Sequence, residues 1–325
     1  MLMVTFDDIL TAAQRLGGEA VRTPLISNAV LDERAGCRVL LKAETLQRTG
    51  SFKFRGAFNA VTALGDAGRE KGVVAVSSGN HAQGVAAAAA LYRIPATIVM
   101  PEDAPQAKLD GTRRLGADVV TYRRTDENRE AIAADLMARS GARLVHPYND
   151  PEVIAGQGTI GLEIADDLAE LGLAADAVLV PCSGGGLASG VALALHHRMP
   201  QAGVHVVEPA GFDDYGRSLA SGRIERNPGV AGSVCDALMA TAPGPMGFAI
   251  NRRLAKGAFT VTDEEALAAV AFAFRALKLV VEPGGAAALA AVLAGRLDAA
   301  GKTVVVVLSG GNLDDAVLQR ALSPR

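Results

Sequence analysis

Residues 177–195 read AVLVPCSGGGLASGVALAL, and this stretch contains a strand, a glycine loop and the start of a helix. The run Ala177–Pro181 is apolar at every position, as expected for a parallel strand buried on both faces. Three glycines, Gly184 to Gly186, then precede an apolar helix that begins near Leu187. Without Cβ atoms, their N–H groups and the positive end of the helix dipole can surround an anion. The stretch therefore predicts a phosphate-binding loop in an α/β fold; a tight turn without a ligand is the alternative.

The same alternation of apolar strand and helix continues along the chain. Strands are predicted at Arg38–Glu44, Val73–Ser77, Ala96–Met100, Asp118–Tyr122, Arg143–His146, Ala177–Pro181, Val204–Val207 and Thr303–Leu308. Helices are predicted at Phe52–Leu64, His81–Tyr92, Gln106–Leu115, Asp126–Arg139, Glu152–Leu168, Leu187–His196, Asp213–Leu219, Glu264–Leu279 and Gly285–Ala294. Because parallel strands need crossover connections, this order favours two doubly wound parallel-sheet lobes. We expect residues 69–148 to form a small inserted domain, and residues 1–68 and 149–325 to form the large domain.

The composition excludes several classes of protein. Half of the 325 residues are hydrophobic and 21% are charged, which is typical of a folded protein rather than a disordered one. The net charge of −3 provides no basic surface for nucleic acid, and no apolar run is long enough to span a membrane. The N-terminus lacks a signal-peptide pattern, and the three cysteines form neither a disulfide framework nor a metal motif. A cytoplasmic location is therefore expected.

Residues 49–56, TGSFKFRG, place Lys53 in the first turn of a helix between two phenylalanines. The positive end of the helix dipole disfavours a charged amine at this position, and burial would lower the pKa of the amine. A lysine with a lowered pKa is a better nucleophile. The alternative is a surface lysine whose stem lies along the protein while its amine reaches water.

Two further polar segments directly follow predicted strands, where α/β sheets bind ligands. Residues 77–84, SSGNHAQG, provide Ser78, Asn80 and the first N–H groups of a helix for an anionic or carbonyl group, although helix capping would explain one of these polar residues. Residues 308–312, LSGGN, place Ser309 at the end of the last strand. Together with Lys53 and the glycine loop, these segments predict a site for a phosphorylated aldehyde cofactor held by a Schiff base.

The segments SFKFRGA, SSGNHAQG, CSGGGL and LSGGN occur in this order between about residues 20 and 315. They resemble the pyridoxal 5′-phosphate (PLP) enzymes of fold type II, the tryptophan synthase β fold, and in particular the threonine/serine dehydratase and serine racemase branch. The resemblance implies an α/β protein of two doubly wound parallel-sheet lobes, with PLP in the cleft between them and the larger lobe as the PLP-binding domain.

The resemblance also implies roles for individual residues toward the cofactor. Lys53 would bind PLP covalently and remove the Cα proton of the substrate. Asn80 would form a hydrogen bond with the ring 3′-oxygen, and Ser309 would face the pyridine nitrogen. The remaining residues implied to contact PLP are Phe52 beside the ring, and Gly184, Gly185, Gly186 and Leu187 at the phosphate.

On the substrate side, the resemblance points to the loop after residue 76. The residues implied to bind the substrate carboxylate are Ser77, Ser78, Asn80 and His81, and Ser78 also matches the acid/base serine of the racemases. Arg129 matches an arginine that in serine racemase faces the substrate-side cleft after lobe closure, and Glu282 is expected to approach the ring-nitrogen side of PLP. A paired helix arginine is the favoured explanation of Arg129, and a carboxylate at a helix N-terminus is the alternative for Glu282.

Residues 208–214, EPAGFDD, suggest a cation site. Glu208 and Asp214, with a carbonyl between them, are hard oxygen ligands suited to Mg²⁺ or Ca²⁺. The same branch of the family has such a site, with Phe212 in the carbonyl position, so a divalent cation is expected: Mg²⁺, with Ca²⁺ or Mn²⁺ as alternatives. The competing explanation is an Asp213 or Asp214 helix cap next to a solvated Glu208.

The function implied is a PLP-dependent ammonia-lyase that converts a small β-hydroxy amino acid, L-threonine or L-serine, into a 2-oxo acid and ammonia. Serine racemase and 3-hydroxyaspartate dehydratase are the alternatives on the same fold. A non-catalytic phosphate-binding module is a remote alternative. No nucleic-acid or membrane partner is expected, and the resemblance implies a homodimer.

Overall fold

The computed structural model describes residues 4–104, 106–229 and 231–323. The α-helices in these ranges are α1 (Phe6–Leu16), α2 (Ala29–Ala35), α3 (Lys53–Thr62), α4 (Asp66–Lys71), α5 (Asn80–Leu91), α6 (Gln106–Arg114), α7 (Arg129–Ser140), α8 (Pro151–Glu170), α9 (Gly186–Arg198), α10 (Asp214–Ser221), α11 (Pro245–Leu254), α12 (Asp263–Phe272), α13 (Pro283–Leu293) and α14 (Asp315–Leu322). The strands are β1 (Leu25–Ser27), β2 (Arg38–Ala43), β3 (Val73–Val76), β4 (Ala96–Pro101), β5 (Asp118–Tyr122), β6 (Arg143–Leu144), β7 (Ala177–Pro181), β8 (Gly203–Pro209), β9 (Ala255–Val261) and β10 (Thr303–Leu308). Short 3₁₀ turns lie at Glu44–Leu46, Arg48–Gly50 and Asp236–Leu238.

Two sheets organise these elements. The larger has the strand order β1-β2-β10-β7-β8-β9, and the smaller has the order β5-β4-β3-β6. All neighbouring strands are parallel except β1, which pairs antiparallel with β2. The α/β prediction of two mainly parallel sheets is therefore confirmed, with an antiparallel edge strand as a correction. An antiparallel edge on a parallel sheet is common in this class.

The strands at the centre of the large sheet are buried on both faces. In β10, Val304, Val306 and Leu308 belong to one apolar core, while Val305 and Val307 belong to the core on the other face. This alternation follows from the two-residue period of side chains along a strand. It explains why the sequence VVVVL contains no polar position.

Several elements differ from the sequence prediction. β1 has only three residues, and β9 is partly exposed along most of its length, so neither has the continuous apolar run that identified the other strands. The predicted helix Glu264–Leu279 is interrupted: α12 ends at Phe272, a π-helical turn covers Ala273–Leu277, and Lys278 adopts a left-handed conformation. The helices α1, α2, α4, α11 and α14 were not predicted.

The helix that carries Lys53 connects the two sheets. Phe54 and Phe58 of α3 share an apolar core with Ala82 and Val85 of α5, which follows β3 of the smaller sheet. The boundaries proposed for the inserted domain, residues 69–148, stay a prediction. None of the helices within the described ranges combines the length and the hydropathy that a membrane span requires.

A buried group of ion pairs fixes the opposite side of α3. Arg55 is 1% exposed and donates from Nε and Nη2 to the Glu44 carboxylate, both at 2.8 Å. It also donates from Nη1 and Nη2 to Glu163 at 2.6 and 2.9 Å. The buried Lys42 amine lies 2.8 Å from Glu163 and 3.1 Å from Asp167. Removing one member of such a group leaves an uncompensated buried charge.

We expect Arg55→Met to lower the free energy of unfolding by about 3–5 kcal/mol, because the buried Glu44 would lose its cationic partner while Glu163 would keep only Lys42. The control is Arg139→Ala, since Arg139 pairs with Asp135 at the surface and its side chain is 77% exposed. That change should cost no more than about 0.5 kcal/mol. Urea denaturation of both variants measures the difference, and similar losses in the two would contradict the role assigned to Arg55.

Candidate active site

A cavity of about 1220 Å³ lies where the carboxyl ends of β3, β7 and β10 face each other. The sequence-predicted residues that line it are Phe52, Lys53, Ser77, Ser78, Asn80, His81, Gly184, Gly185, Gly186, Leu187 and Ser309. The fold thus brings together every residue predicted to contact the cofactor or the substrate carboxylate, although these residues come from four separate segments.

Lys53 is the first residue of α3, and its amine donates to the carbonyl oxygen of Pro147 at 2.8 Å. The amine also lies 5.1 Å from the centre of the Phe52 ring. Burial lowers the pKa of Lys53 to about 8, and the negative charge of Glu282 partly opposes this shift. A larger fraction of this amine is therefore neutral, and hence nucleophilic, at neutral pH than for an ordinary lysine.

The glycine loop joins β7 to α9 and is closely covered by two tyrosines. A Cβ on Gly184 would lie 2.3 Å from atoms of the Tyr148 ring, and a Cβ on Gly185 would lie 2.3 Å from Cε2 of Tyr215. Gly185 also has φ +91°, a conformation that other residues rarely adopt. Only glycines fit this loop, which leaves the first N–H groups of α9 accessible to an anion.

Asn80 begins α5 and forms hydrogen bonds at both ends of its amide. Its Nδ2 donates to Oε1 of Glu282 at 2.7 Å, and its Oδ1 accepts from Nδ2 of Asn312 at 2.8 Å. Glu282 precedes α13 and is 4% exposed. Burial and the nearby Asp236 raise the pKa of Glu282 to about 8. Glu282 therefore lies inside the cavity wall and contacts Asn80 directly.

The loop before α5 places the other substrate-side residues. Ser77 Oγ accepts from the N–H of Gly79 at 3.2 Å. His81 is 3% exposed, and its Nε2 bonds to the carbonyl oxygen of Val145 at 2.8 Å. Burial, together with the charge of Lys53, lowers the pKa of His81 to about 3. This histidine is therefore neutral at physiological pH, and because a carbonyl only accepts, Nε2 carries the ring proton.

Ser309 follows β10 and is 4% exposed. Its carbonyl oxygen accepts from the N–H of Phe52 at 3.0 Å, and its N–H donates to the carbonyl of Gly285 at 3.3 Å. Ser51 forms an isolated antiparallel bridge with Gly310 beside it. The chain before Lys53 is therefore attached to the end of the central strand.

Comparison with known proteins agrees with this arrangement. The family model described as "Pyridoxal-phosphate dependent enzyme" matches residues 18–310. The chain belongs to this family of PLP enzymes. An L-threonine ammonia-lyase from Thermotoga maritima is 42% identical over 321 residues, which cover 99% of this chain and 79% of that protein. An L-threo-3-hydroxyaspartate ammonia-lyase from Saccharomyces cerevisiae is 41% identical over 97% of this chain and 95% of that protein.

Solved structures agree with the predicted fold type. A threonine deaminase from T.th. superposes with a TM-score of 0.90 at 44% identity, over 95% of this chain and 99% of that chain. Maize serine racemase gives a TM-score of 0.92 at 36% identity, over 99% of this chain and 97% of that chain. The fold is therefore that of the tryptophan synthase β-like PLP enzymes, as predicted.

The residues present fit PLP. Lys53 supplies an amine with a lowered pKa on the wall of the cavity, and the loop at Gly184 and Gly185 is a cradle that a Cβ atom would disrupt. One cavity thus contains an amine that can react with the aldehyde group of PLP and a loop that can bind its phosphate group.

The residues predicted to bind a cation lie outside this cavity: Glu208, Phe212 and Asp214. Glu208 is 1% exposed and accepts from the N–H groups of Tyr215 and Gly216 at 2.9 and 2.7 Å, so it is not the solvated side chain that the competing explanation required. Asp214 Oδ1 accepts from Asn227, while its buried Oδ2 has no partner. Burial raises the pKa of Asp214 to about 6 and raises that of Glu208 well above its usual value. The described ranges contain no cluster of three or more His, Cys, Asp or Glu side chains able to hold a metal. The predicted site would not form such a cluster, because its donors are two carboxylates and one backbone carbonyl.

Some residues of the PLP site differ from the sequence analysis or were missed by it. Arg129 lines the cavity at the start of α7 and pairs with its neighbour Glu130 at 2.8 Å, not with a residue one turn away. Tyr148 lines the cavity and covers the glycine loop, and Asn312 contacts Asn80. Tyr148 lies outside the four sequence motifs. Asn312 is the last residue of the motif LSGGN, but the sequence alone does not indicate what it contacts.

We predict that the Lys53 amine in the protein without PLP reacts with formaldehyde and cyanoborohydride with a midpoint near pH 8, because burial lowers its pKa to about 8. Peptide mass spectrometry over a pH series measures this reaction. The matched control is the same lysine in urea-unfolded protein, whose midpoint should return to about 10.4. Equal midpoints in folded and unfolded protein would show that Lys53 is an ordinary exposed lysine.

Proposed function

We propose that this PLP enzyme is an ammonia-lyase that converts L-threonine or L-serine into a 2-oxo acid and ammonia. The observation that carries the proposal is the Lys53 amine, with its lowered pKa, in one cavity with the glycine loop. The names of the Thermotoga and T.th. relatives, an L-threonine ammonia-lyase and a threonine deaminase, support the substrate class.

Binding of the substrate carboxylate is assigned to the loop that begins α5. Ser77, Ser78 and the N–H groups of the first helical turn provide donors at the positive end of a 12-residue helix. The neutral His81 holds this loop to Val145 and adds no charge. The loop therefore orients an amino acid by its carboxylate and leaves its Cα and β-hydroxyl groups free to react.

Proton removal from Cα is assigned to Lys53. Bound PLP supplies the electron-accepting ring that makes this proton acidic. A lysine whose pKa is about 8 loses its proton more readily at neutral pH than an ordinary lysine and can then act as the base. The β-hydroxyl group takes up a proton, which balances the one that Lys53 removed from Cα, and leaves as water. The released enamine takes up a proton at its β-carbon, and hydrolysis of the resulting imine gives the 2-oxo acid and ammonia.

Ser309 is assigned to the pyridine nitrogen side of the site. With PLP bound, a neutral hydroxyl there would not hold a proton on the ring nitrogen as an aspartate would, and the ring would withdraw electrons less strongly. With PLP bound, a serine at this position would therefore favour rapid loss of the β-hydroxyl. This choice of residue type is consistent with elimination as the main reaction.

Two alternative reactions, racemisation of serine and elimination from 3-hydroxyaspartate, would use the same site. The similarity to a serine racemase and to an L-threo-3-hydroxyaspartate ammonia-lyase supports these reactions, either as side activities or as the main activity. Ser78, which lines the same cavity as Lys53, is the residue proposed to move a proton on the opposite face of Cα. A non-catalytic phosphate-binding module would not need an amine of lowered pKa beside the glycine loop.

The test is a substrate panel with the PLP-loaded protein. We expect 2-oxo acid from L-threonine and L-serine, with Lys53→Ala reducing the rate by at least about 10³-fold because the base is lost. Keto-acid formation and chiral chromatography of serine are measured together on L-serine, D-serine, L-threonine and L-threo-3-hydroxyaspartate. The control for folding is PLP retention by Lys53→Ala, measured by absorbance.

The outcomes separate the candidates. If D-serine is the main product, the protein is a serine racemase and the lyase proposal is wrong. If only 3-hydroxyaspartate is turned over, the protein is a 3-hydroxyaspartate ammonia-lyase and the proposed substrates are wrong. Ser78→Ala should lower racemisation more than elimination; equal losses would remove its face-specific role. Full turnover by Lys53→Ala would end the proposed mechanism.

We also infer a structural divalent cation, Mg²⁺ with Ca²⁺ or Mn²⁺ as alternatives, at Glu208, Asp214 and the carbonyl oxygen of Phe212. The unpartnered, buried Oδ2 of Asp214 supports this site, because a buried carboxylate oxygen without a donor costs free energy that a cation would recover. The two carboxylates lie where β8 leads into α10, the helix whose second residue, Tyr215, covers Gly185. A cation here would stabilise the support of the glycine loop and would not touch the substrate.

We expect Mg²⁺ at about 100 times its dissociation constant to stabilise the protein by about 2.7 kcal/mol. Thermal unfolding is followed with EDTA and with MgCl₂, CaCl₂ or MnCl₂. Asp214→Asn should abolish the shift, whereas Asp213→Asn should keep it, because Asp213 pairs with Arg217 at the surface. Identical cation responses of both variants would contradict the site.

Three further expectations stay proposals: a homodimer, a cytoplasmic location and the inserted domain at residues 69–148. The three cysteines are free and buried, which is consistent with a reducing compartment. Sedimentation of the purified protein tests the dimer.

A further inference from the structure

A chain of amide hydrogen bonds crosses the inner wall of the cleft and joins three elements. Asn312, which follows β10, donates from Nδ2 to the carbonyl oxygen of Thr49 at 2.7 Å and to Oδ1 of Asn80 at 2.8 Å. Asn80 in turn donates from Nδ2 to Glu282 Oε1 at 2.7 Å. The chain thus connects the turn before Lys53, the end of the central strand and the start of α5.

A single backbone carbonyl sets the direction of this chain. The oxygen of Thr49 can only accept, so the Asn312 atom that faces it must be the NH₂ group. That group also faces Asn80, so the Asn80 atom nearest to it must be an acceptor, Oδ1. The NH₂ group of Asn80, which lines the cavity, is therefore turned toward Glu282 and uses one of its two hydrogens there.

Glycines on both sides make room for these side chains. Gly50 has φ +72°, and a Cβ there would lie 2.6 Å from Oδ1 of Asn312. A Cβ on Gly310 would lie 2.4 Å from Glu282 Oε1 and 3.1 Å from Asn80 Nδ2. Both glycines therefore allow Asn312, Asn80 and Glu282 to lie in contact, which a chance surface hydrogen bond would not require.

We propose that Asn312 is a positioning residue that fixes the amide of Asn80 with its NH₂ group as the donor available to the 3′-oxygen of PLP. The inference rests on the proposed role of Asn80 and adds the residue that orients it. Asn312 acts through Asn80 and does not itself need to touch the cofactor. Glu282 alone does not fix the amide, because burial raises the pKa of Glu282 to about 8 and its protonated carboxyl can donate as well as accept. Without Asn312, the amide of Asn80 can therefore turn over and present an oxygen, which repels the 3′-oxygen.

The first variant is Asn312→Asp, which keeps the shape but replaces the donor by an oxygen. Aspartate cannot donate to Asn80 Oδ1, so Asn80 is expected to turn its NH₂ group toward residue 312. We expect PLP affinity to fall by at least about tenfold, which corresponds to the loss of one hydrogen bond to a charged group. Titration of the PLP-free protein with PLP, followed by absorbance, measures the dissociation constant, and the ratio of the two visible bands of bound PLP should also change.

The decisive control repeats the substitution in the Asn80→Ala background. With no amide left to orient, Asn312→Asp should change the PLP dissociation constant by less than about twofold, so the two substitutions are strongly non-additive. If the loss is as large in that background, the new carboxylate acts by its charge alone, and the proposal is overturned. An Asn80→Ala protein that binds PLP as tightly as the wild type would also overturn it.

A second variant, Asn312→Ala, removes the donor without adding a charge. It should weaken PLP binding when Asn80 is present and should have no effect in the Asn80→Ala background. Circular dichroism and the melting temperature of the PLP-free proteins confirm that the variants are folded. The two levels of failure are distinct: a wild-type protein that binds PLP but lacks lyase activity contradicts the proposed function, whereas additive effects at positions 80 and 312 contradict only the role of Asn312.

Discussion

The hydrogen bond from the Lys53 amine to the carbonyl oxygen of Pro147 is the interaction on which the site depends. A carboxylate partner would hold the proton on the amine, whereas a carbonyl oxygen orients the amine with much less electrostatic stabilisation of its charge. Burial then lowers the pKa of Lys53, and the more distant Glu282 opposes this shift only in part. The lysine is thus held in place while its amine stays reactive.

Holding such a lysine requires the opposite side of its helix to be fixed firmly. Successive helical residues are rotated by about 100°, so Arg55 points away from the side on which Lys53 lies. Arg55 is bound there by Glu44 and Glu163, while the cleft side offers Lys53 a neutral carbonyl. The ion pairs of Arg55 lie on the side of α3 away from the cleft, and the hydrogen bond of Lys53 lies on the cleft side. The contacts that stabilise the helix are thus separate from the contact that holds the reactive amine. The strand end at Ser309 fixes the chain before Lys53 through the N–H of Phe52.

Much of this arrangement could be predicted from local sequence, because strand ends and glycines leave strong patterns. The apolar run of β10 and the Gly184–Gly186 loop identified the sheet and the cradle without any long-range information. Tyr148 and Asn312 could not be found in this way, since one acts by packing and the other by a contact across 232 residues of chain. The interruption of the predicted helix at Phe272 was also hidden, because a π-helical turn uses the same apolar residues as an α-helix.

The proposed role of Ser78, which lines the same cavity as Lys53, would explain why an ammonia-lyase and a serine racemase can share this fold. In the proposed mechanism both reactions begin when the Cα proton leaves, and both use the loop at the start of α5 to bind the substrate carboxylate. Elimination then needs only a β-hydroxyl that can depart, whereas inversion needs a second group able to return a proton to the other face. Ser78 is an ordinary hydroxyl at the N-terminal end of a helix, where the dipole stabilises a negative charge on its oxygen. In the proposed mechanism, the balance between the two reactions depends on how easily the Ser78 hydroxyl exchanges a proton compared with how fast the β-hydroxyl departs. A side chain that alters either rate would then change the product without altering the fold.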